Sequence, residues 1–455
     1  MSELLQQRRA GVLLHPTSLP SGKLDGDVER WLDFMADACL SVWQVLPLVI
    51  PDHTGSPYQS CSAFAANPGL LDEEALRREV DPQALADFYH QQQSWLPDFA
   101  RFKVLRQRYP ECSWLDWPQR YRDRDPQAMA ELEHESPDEF QHFVRVQFLL
   151  DQRWQQIRRY AAERNILMFG DMPIFVALDS VDVWANRGEF LLNEVGQPNL
   201  VAGVPPDYFS EQGQRWGNPH YDWDVMKGSG FRWWKGRLQR QFDWFDIVRL
   251  DHFRGLEASW MIPAECETAI DGHWQQVPGA ELLGALREAN PGLPIVAEDL
   301  GIITPEVTAL RKAFELPGMA VLQFAFDGSE DNPHLPANVS TDHVAYSGTH
   351  DNSTTRGWFT SLEEDTRQFV LQVLEGSADD DIVELLNQRL METSAFLAML
   401  PLQDILGLGA EARMNTPGLT EGNWRWRFEW QQLDDVDVVG RLRELIERTG
   451  RCHEG

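Results

Sequence analysis

Six side chains that can move protons or attack carbon stand in or at the ends of short apolar runs of this chain. Asp251 closes DIVRLD, Glu298 lies in PIVAEDL, His350 and Asp351 close VAYSGTHD, Asp171 lies in ILMFGDMPIF and His15 closes VLLH. Singly each has an ordinary explanation: Asp251 could pair with Arg249, Glu298 could cap the following helix, and Asp351 before Asn352 could form a turn. As a set they mean more. If the runs are strands of one barrel, three carboxylates at three strand tips converge on one opening, because a barrel's site gathers at the C-terminal ends of its strands. Two carboxylates of opposed protonation, with a third to grip the substrate, suit glycosidic bond cleavage through a covalent glycosyl-enzyme.

Alternation sharpens the reading of the fourth run. Ile247, Arg249 and Asp251 share one face and Val248 and Leu250 the other, so the apolar pair faces outer helices and Arg249 and Asp251 point inward. Two residues of strand span about 6.6 Å, within reach for a guanidinium to hold Asp251 ionised. Glu298 has no adjacent cation in sequence, which permits the raised pKa of a general acid. Two rival chemistries use some of the same residues. His15, His350, Asp351 and Glu298 could ligate a divalent ion, but His15-Pro16 is not the paired-histidine signature such a site needs, so no metal is expected. A noncatalytic sugar-binding protein would instead rely on the aromatics. The chain has 18 tryptophans, several in polar segments (Trp216, Trp223, Trp424, Trp426) where they could be sugar platforms or ordinary packing.

Eight runs read as buried strands: 12–15, 42–48, 166–175, 246–251, 294–300, 320–326, 344–351 and 396–406. Helix-like segments at 28–38, 279–292 and 304–314 separate some of them. Eight strands with helical crossovers predict an α/β chain folded as a (β/α)8 TIM barrel, with helical and loop insertions where the spacing is uneven. Residues 1–71 form the first part of the barrel, 72–135 an inserted helical subdomain, and 136–455 the remainder. A capping box of Ser136, Pro137 and Glu139 opens the helix that resumes the barrel. The stretch 193–240, rich in Gly, Pro and aromatics, reads as a lid-like loop.

Composition narrows the partners. With 71 acidic against 40 basic residues and a formal charge of −31, the chain repels phosphates and anionic membrane surfaces, so neither nucleic acid nor membrane is expected as a partner. No apolar run of membrane-spanning length and no signal-peptide core is present, and a cytoplasmic protein is expected. The five cysteines, Cys39, Cys61, Cys112, Cys266 and Cys452, have no CxxC spacing and read as reduced thiols.

RLDHFRG, VAEDLG and SGTHDN resemble the nucleophile, acid/base and stabiliser motifs of the amylomaltases, the 4-α-glucanotransferases of glycoside hydrolase family 77. The resemblance also takes in GVLLHPTSLP, SPYQSCSAFAANP, FGDMPIFVALDSVDVWAN, GVPPDYFSEQGQRWGNPHYDW and EARMNTPGLTEGNWRWR, nearly the whole chain. It implies Asp251 as nucleophile, Glu298 as general acid/base and Asp351 as the carboxylate that holds ring hydroxyls and stabilises the transition state. Arg249 and His350 would be their immediate partners. Tyr58 and Asp171 would line the subsite of the transferred sugar, and the 203–219 loop, with Asp207, Tyr208, Trp216 and Asn218, would arch over the cleft. The implied substrates are maltooligosaccharides or other α-glucans, with no cofactor. The turn after SLPS, the segment PLVIPDHTG and Ser353 depart from the family pattern without touching the three carboxylates.

Overall fold

All eight apolar runs overlap a strand, and all eight strands are parallel neighbours in one sheet. In this computed structural model, which describes residues 7–206, 210–434 and 437–452, the strands in chain order are β1 (Arg9–Leu13), β2 (Val42–Gln44), β3 (Leu167–Met172), β4 (Leu200–Val204), β5 (Gln214–Pro219), β6 (Ile247–Leu250), β7 (Ala258–Pro263), β8 (His273–Gln276), β9 (Ile295–Ala297), β10 (Gly318–Val321), β11 (His343–Tyr346) and β12 (Leu397–Pro401). The large sheet runs β10-β11-β12-β1-β2-β3-β6-β9, so each barrel strand lies beside its neighbour in sequence. The Ala297 N–H donates to the Pro317 carbonyl at 2.8 Å, which brings the two ends of that order together. This is a (β/α)8 barrel.

The strands alternate as a barrel requires. Ile247 joins Val42, Phe169, Val296, Val344 and Tyr346 in the cluster inside the sheet. Val248 and Leu250 belong to the larger shell under the helices. Helices occupy Gly26–Asp37, Gly279–Ala289 and Pro305–Ala313, within a few residues of the expected positions.

Between β2 and β3 lie the helices Glu73–Arg77, Pro82–Gln91, Leu96–Arg108, Gln119–Arg122 and Pro126–Glu135; all but Gln119–Arg122, which packs on Pro126–Glu135, lean on the long helix Pro137–Ala162. That helix starts where Ser136 implies, but the Ser136 hydroxyl does not cap it. Ser136 also ends the preceding helix, its N–H donating to Leu132, and this holds its backbone away from the extended geometry a capping side chain needs.

Two further expectations are corrected. The stretch 193–240 is not a loop: β4 and β5 pair antiparallel and continue into β7 and β8 as a four-stranded sheet in the order β5-β4-β7-β8, and two helices, Trp223–Gly228 and Arg232–Trp244, follow β5. Glycines and prolines in and around these short strands hide the alternation that would announce them. The cysteines are not all reduced either, since Cys39 and Cys452 form a disulfide with α-carbons 5.3 Å apart. They follow the ends of helices Gly26–Asp37 and Val438–Arg448, which pack together, so tertiary structure joins positions that spacing cannot. Cys61, Cys112 and Cys266 are free. Among the described residues no helix is long and apolar enough to cross a membrane.

Candidate active site

The barrel brings the predicted carboxylates to one end. Asp251 directly follows β6, Glu298 directly follows β9, and His350 and Asp351 lie just beyond β11. Asp171 and Arg249 are register partners on β3 and β6, both on the inward face. Their contact is tight: Arg249 Nη1 donates to both Asp171 oxygens at 2.8 and 2.9 Å. The same nitrogen lies 2.9 Å from Asp251 Oδ1, so one buried guanidinium joins two carboxylates. The Tyr58 hydroxyl donates to Asp171 Oδ2 at 2.8 Å. Burial opposes the Arg249 charge, but Asp171 and Asp251 outweigh it and raise its pKa well above the ordinary guanidinium value. Asp171 is fully covered, whereas the Asp251 side chain keeps 27% of its surface open to the cleft. Arg249 therefore positions and neutralises a carboxylate that can still reach a ligand.

This network predicts a stability effect. Arg249→Met strands Asp171 in the barrel without its counter-charge, and breaking such a buried pair from one side costs about 3–5 kcal/mol. Urea unfolding of the variant should show that loss, and a change under about 1 kcal/mol would show that Asp171 is not held as an ion there.

Glu298 is fixed by backbone. One carboxyl oxygen accepts from the His252 N–H at 2.7 Å and the other from the Leu300 N–H at 2.9 Å. His252 adopts the left-handed conformation, φ 51° and ψ 50°, so the chain turns sharply after Asp251 and aims its N–H at Glu298. Glu298 is half-buried, and its carboxyl is largely enclosed by protein. That desolvation, opposed by Arg249 and aided by the negative Asp251, lifts its pKa to about 7.

Asp351 is more open than Asp251, its side chain 46% exposed against 27%. Its Oδ1 accepts from Asn415 at 2.6 Å and lies 3.4 Å from His350 Nε2. His350 stacks on Tyr58 with ring centroids 5.2 Å apart, and Trp424 lies 5.9 Å from Tyr58 and 6.0 Å from His350. His15 sits below this group, pushed down to about 3 by burial and by His350 against a backbone contact with Leu46, and so is neutral. Asn415 is absent from the sequence reading because an asparagine in a Gly/Pro-rich tail has no intrinsic signal. Only the motif EARMNTPGLTEGNWRWR marked its neighbourhood.

The lid-region residues divide. Trp216, on β5, packs edge-on against His252 with centroids 4.8 Å apart, at the rim beside Asp251. Asn218 is 4% exposed; it donates to the Val176 carbonyl at 2.9 Å and accepts from Gln59 at 3.2 Å. These two bonds hold its amide in place on β5. Asp207 and Tyr208 lie outside the described residues. Trp223 packs against Tyr221 and Trp234 and is structural. The metal alternative finds no gathered ligand set: among the described residues the one close group of three or more histidine, cysteine or acidic ligands is Cys39, Glu447 and Cys452, far in the fold from the barrel mouth.

Known proteins share the sequence and the fold of this chain. The family model described as 4-alpha-glucanotransferase matches residues 13–84 and 73–433. A 4-alpha-glucanotransferase of Synechocystis is 42% identical, covering 98% of this chain and 99% of that protein. That of Thermus thermophilus is 41% identical over the same shares. Among solved structures, the amylomaltase of Streptococcus agalactiae in complex with acarbose superimposes with a TM-score of 0.94 at 31% identity, covering 98% of this chain and all of that one. The amylomaltase of Corynebacterium glutamicum, 17% identical with a TM-score of 0.79 over 97% of this chain and 75% of its own, shares the fold. The chain belongs to glycoside hydrolase family 77, the 4-alpha-glucanotransferases.

Proposed function

We propose that this protein is a 4-α-glucanotransferase that cleaves an α-1,4 link in a maltodextrin and passes the glucanosyl unit to glucose or to another glucan, with retention of configuration. One observation carries the reading: an ion-paired Asp251 and a Glu298 lifted to about 7 share one barrel mouth. Asp251 attacks the anomeric carbon. Glu298 protonates the departing glycosidic oxygen, then deprotonates the incoming 4-hydroxyl, while Asp351, steadied by Asn415 and His350, holds ring hydroxyls. Tyr58, Asp171 and Arg249 form the floor of the subsite. Trp216, with Asp207 and Tyr208 on the same excursion, favours transfer over hydrolysis by excluding water and orienting the acceptor. The same reading treats 72–135 as a helical subdomain inserted between barrel segments 1–71 and 136–455. It places the chain in the cytoplasm, a setting that the net charge of −31 suits by keeping it dispersed.

Incubation with maltotriose tests it. Transfer yields a ladder of products longer than the trimer together with released glucose. Only shorter products would mean a hydrolase and overturn the transferase reading, and an unchanged trimer would leave a glucan-binding protein without turnover.

A further inference from the structure

Asp351 sits in a turn whose two sides are held by different parts of the chain. The N–H side is satisfied locally: Asn352 Oδ1 accepts from the Thr349 N–H and from the Thr349 hydroxyl, each at 2.9 Å, and the Asp351 N–H donates to Thr349 Oγ1 at 3.3 Å. The carbonyl side looks to the tail. The His350 carbonyl accepts from the Asn415 N–H at 3.1 Å, and the Asp351 carbonyl accepts from Arg413 Nη2. Arg413 also donates through Nε to the Asn415 carbonyl at 2.7 Å. One guanidinium therefore bridges Asp351 to the very asparagine whose amide grips the Asp351 carboxylate at 2.6 Å.

No regular element sets that spacing. Residues 413–430 contain no helix or strand, and 417–422 are exposed. The segment is pinned to the barrel through Met414, which packs on Leu13 at the end of β1 and on Leu46 just past β2. The Trp424 N–H donates to the Met414 carbonyl at 2.8 Å and closes the loop above it. Those anchors fix Met414 and leave its two neighbours, Arg413 and Asn415, to meet the Asp351 turn. A guanidinium suits the task because its donors form a rigid planar fork, so two carbonyls bound to it keep a set separation. Arg413 is half-buried and forms no ion pair among the described residues; enclosure lowers its pKa, against the opposing pull of Asp351. A cation enclosed without a salt bridge is costly, and what this one supplies is placement.

We propose that Arg413 is a positioning residue for glucanosyl transfer, holding Asp351 and Asn415 in register so that the Asp351 carboxylate meets the ring hydroxyls in the transition state. The assignment rests on the glucanotransferase reading above. Arg413 acts through Asp351 and not on the sugar. A displaced stabiliser forfeits interactions that strengthen in the transition state, so with α-maltosyl fluoride as donor Arg413→Ala should lower kcat about 10²-fold and leave KM within about threefold of the parent. Arg413→Lys keeps the charge and one of the two bonds, and should recover about tenfold of that loss.

A double-mutant cycle separates positioning from mere support of the fold. Added to Asp351→Asn, Arg413→Ala should cost less than about threefold further, because the group that it places is already disabled. An equal loss in both backgrounds, a raised KM with unchanged kcat, or a parent-like kcat in Arg413→Ala each overturns the assignment. Should Arg413→Ala fail to fold, Arg413→Lys carries the same cycle: its loss of about tenfold must vanish in the Asp351→Asn background, and its persistence there overturns the assignment. The parent's action on maltotriose tells the two readings apart. A parent that leaves the trimer unextended overturns the glucanotransferase reading and this assignment with it, whereas a parent that builds the ladder beside an equally active Arg413→Ala overturns the assignment alone.

Discussion

Asp251→Ala is expected to reduce glucanotransfer by on the order of 10⁵-fold, because a double displacement without its nucleophile has no covalent intermediate to pass to an acceptor. The loss is chemical and not structural. Arg249 keeps its contacts to Asp171 at 2.8 and 2.9 Å, and Tyr58 keeps its bond to Asp171, so the floor of the subsite survives the truncation. The melting temperature should therefore change little.

A product analysis separates this role from that of a mere binding carboxylate. Given an α-maltosyl fluoride donor and azide, the space vacated by Asp251 admits azide to the same face of the anomeric carbon. One displacement then occurs where two did before, and the product is a β-maltosyl azide of inverted configuration. Recovery of the α-azide, or residual transfer within tenfold of the parent, would remove Asp251 from the nucleophile role.

How much of this was legible in the sequence follows from what each feature depends on. The barrel strands are buried on both faces and read as continuous apolar runs, and a residue at the tip of such a run must lie at the mouth, so Asp251, Glu298 and Asp351 could be placed by counting. The inward direction of Arg249 followed from alternation, with Ile247 indeed inside the barrel and Val248 and Leu250 outside it. That Arg249 spends its charge first on Asp171 was hidden, since β3 and β6 become neighbours only in the folded sheet. Asn415 and Trp424 reach the site from a tail with no periodic pattern, and the Cys39–Cys452 bridge depends on two helices at opposite ends of the chain.

Glu298→Gln is expected to lower turnover of maltodextrins by on the order of 10³-fold while nearly sparing the first step with a glycosyl fluoride, whose leaving group needs no proton. The glutamine keeps the two backbone contacts in part, accepting through its oxygen from His252 or Leu300, so the loop geometry is conserved and the proton alone is lost. Azide added to this variant attacks the glycosyl-Asp251 ester and gives the α-azide, opposite to the outcome with Asp251→Ala. The pH profile supplies the second signature. Glu298 must be protonated to begin the cycle, and its pKa of about 7 predicts that kcat/KM falls on the alkaline side with a midpoint near that value. In Glu298→Gln the fluoride reaction should lose that limb. The same raised pKa has a thermodynamic sign: between the ordinary carboxyl value of 4.5 and about 7 the folded protein holds a proton the unfolded chain has released. Its contribution to stability is then complete below 4.5 and lost as pH rises through about 7, so the parent's stability should decline across that window more steeply than the variant's. Parallel pH–stability curves for the two proteins would show that Glu298 titrates at an ordinary carboxyl value, and the acid/base assignment would fall with it.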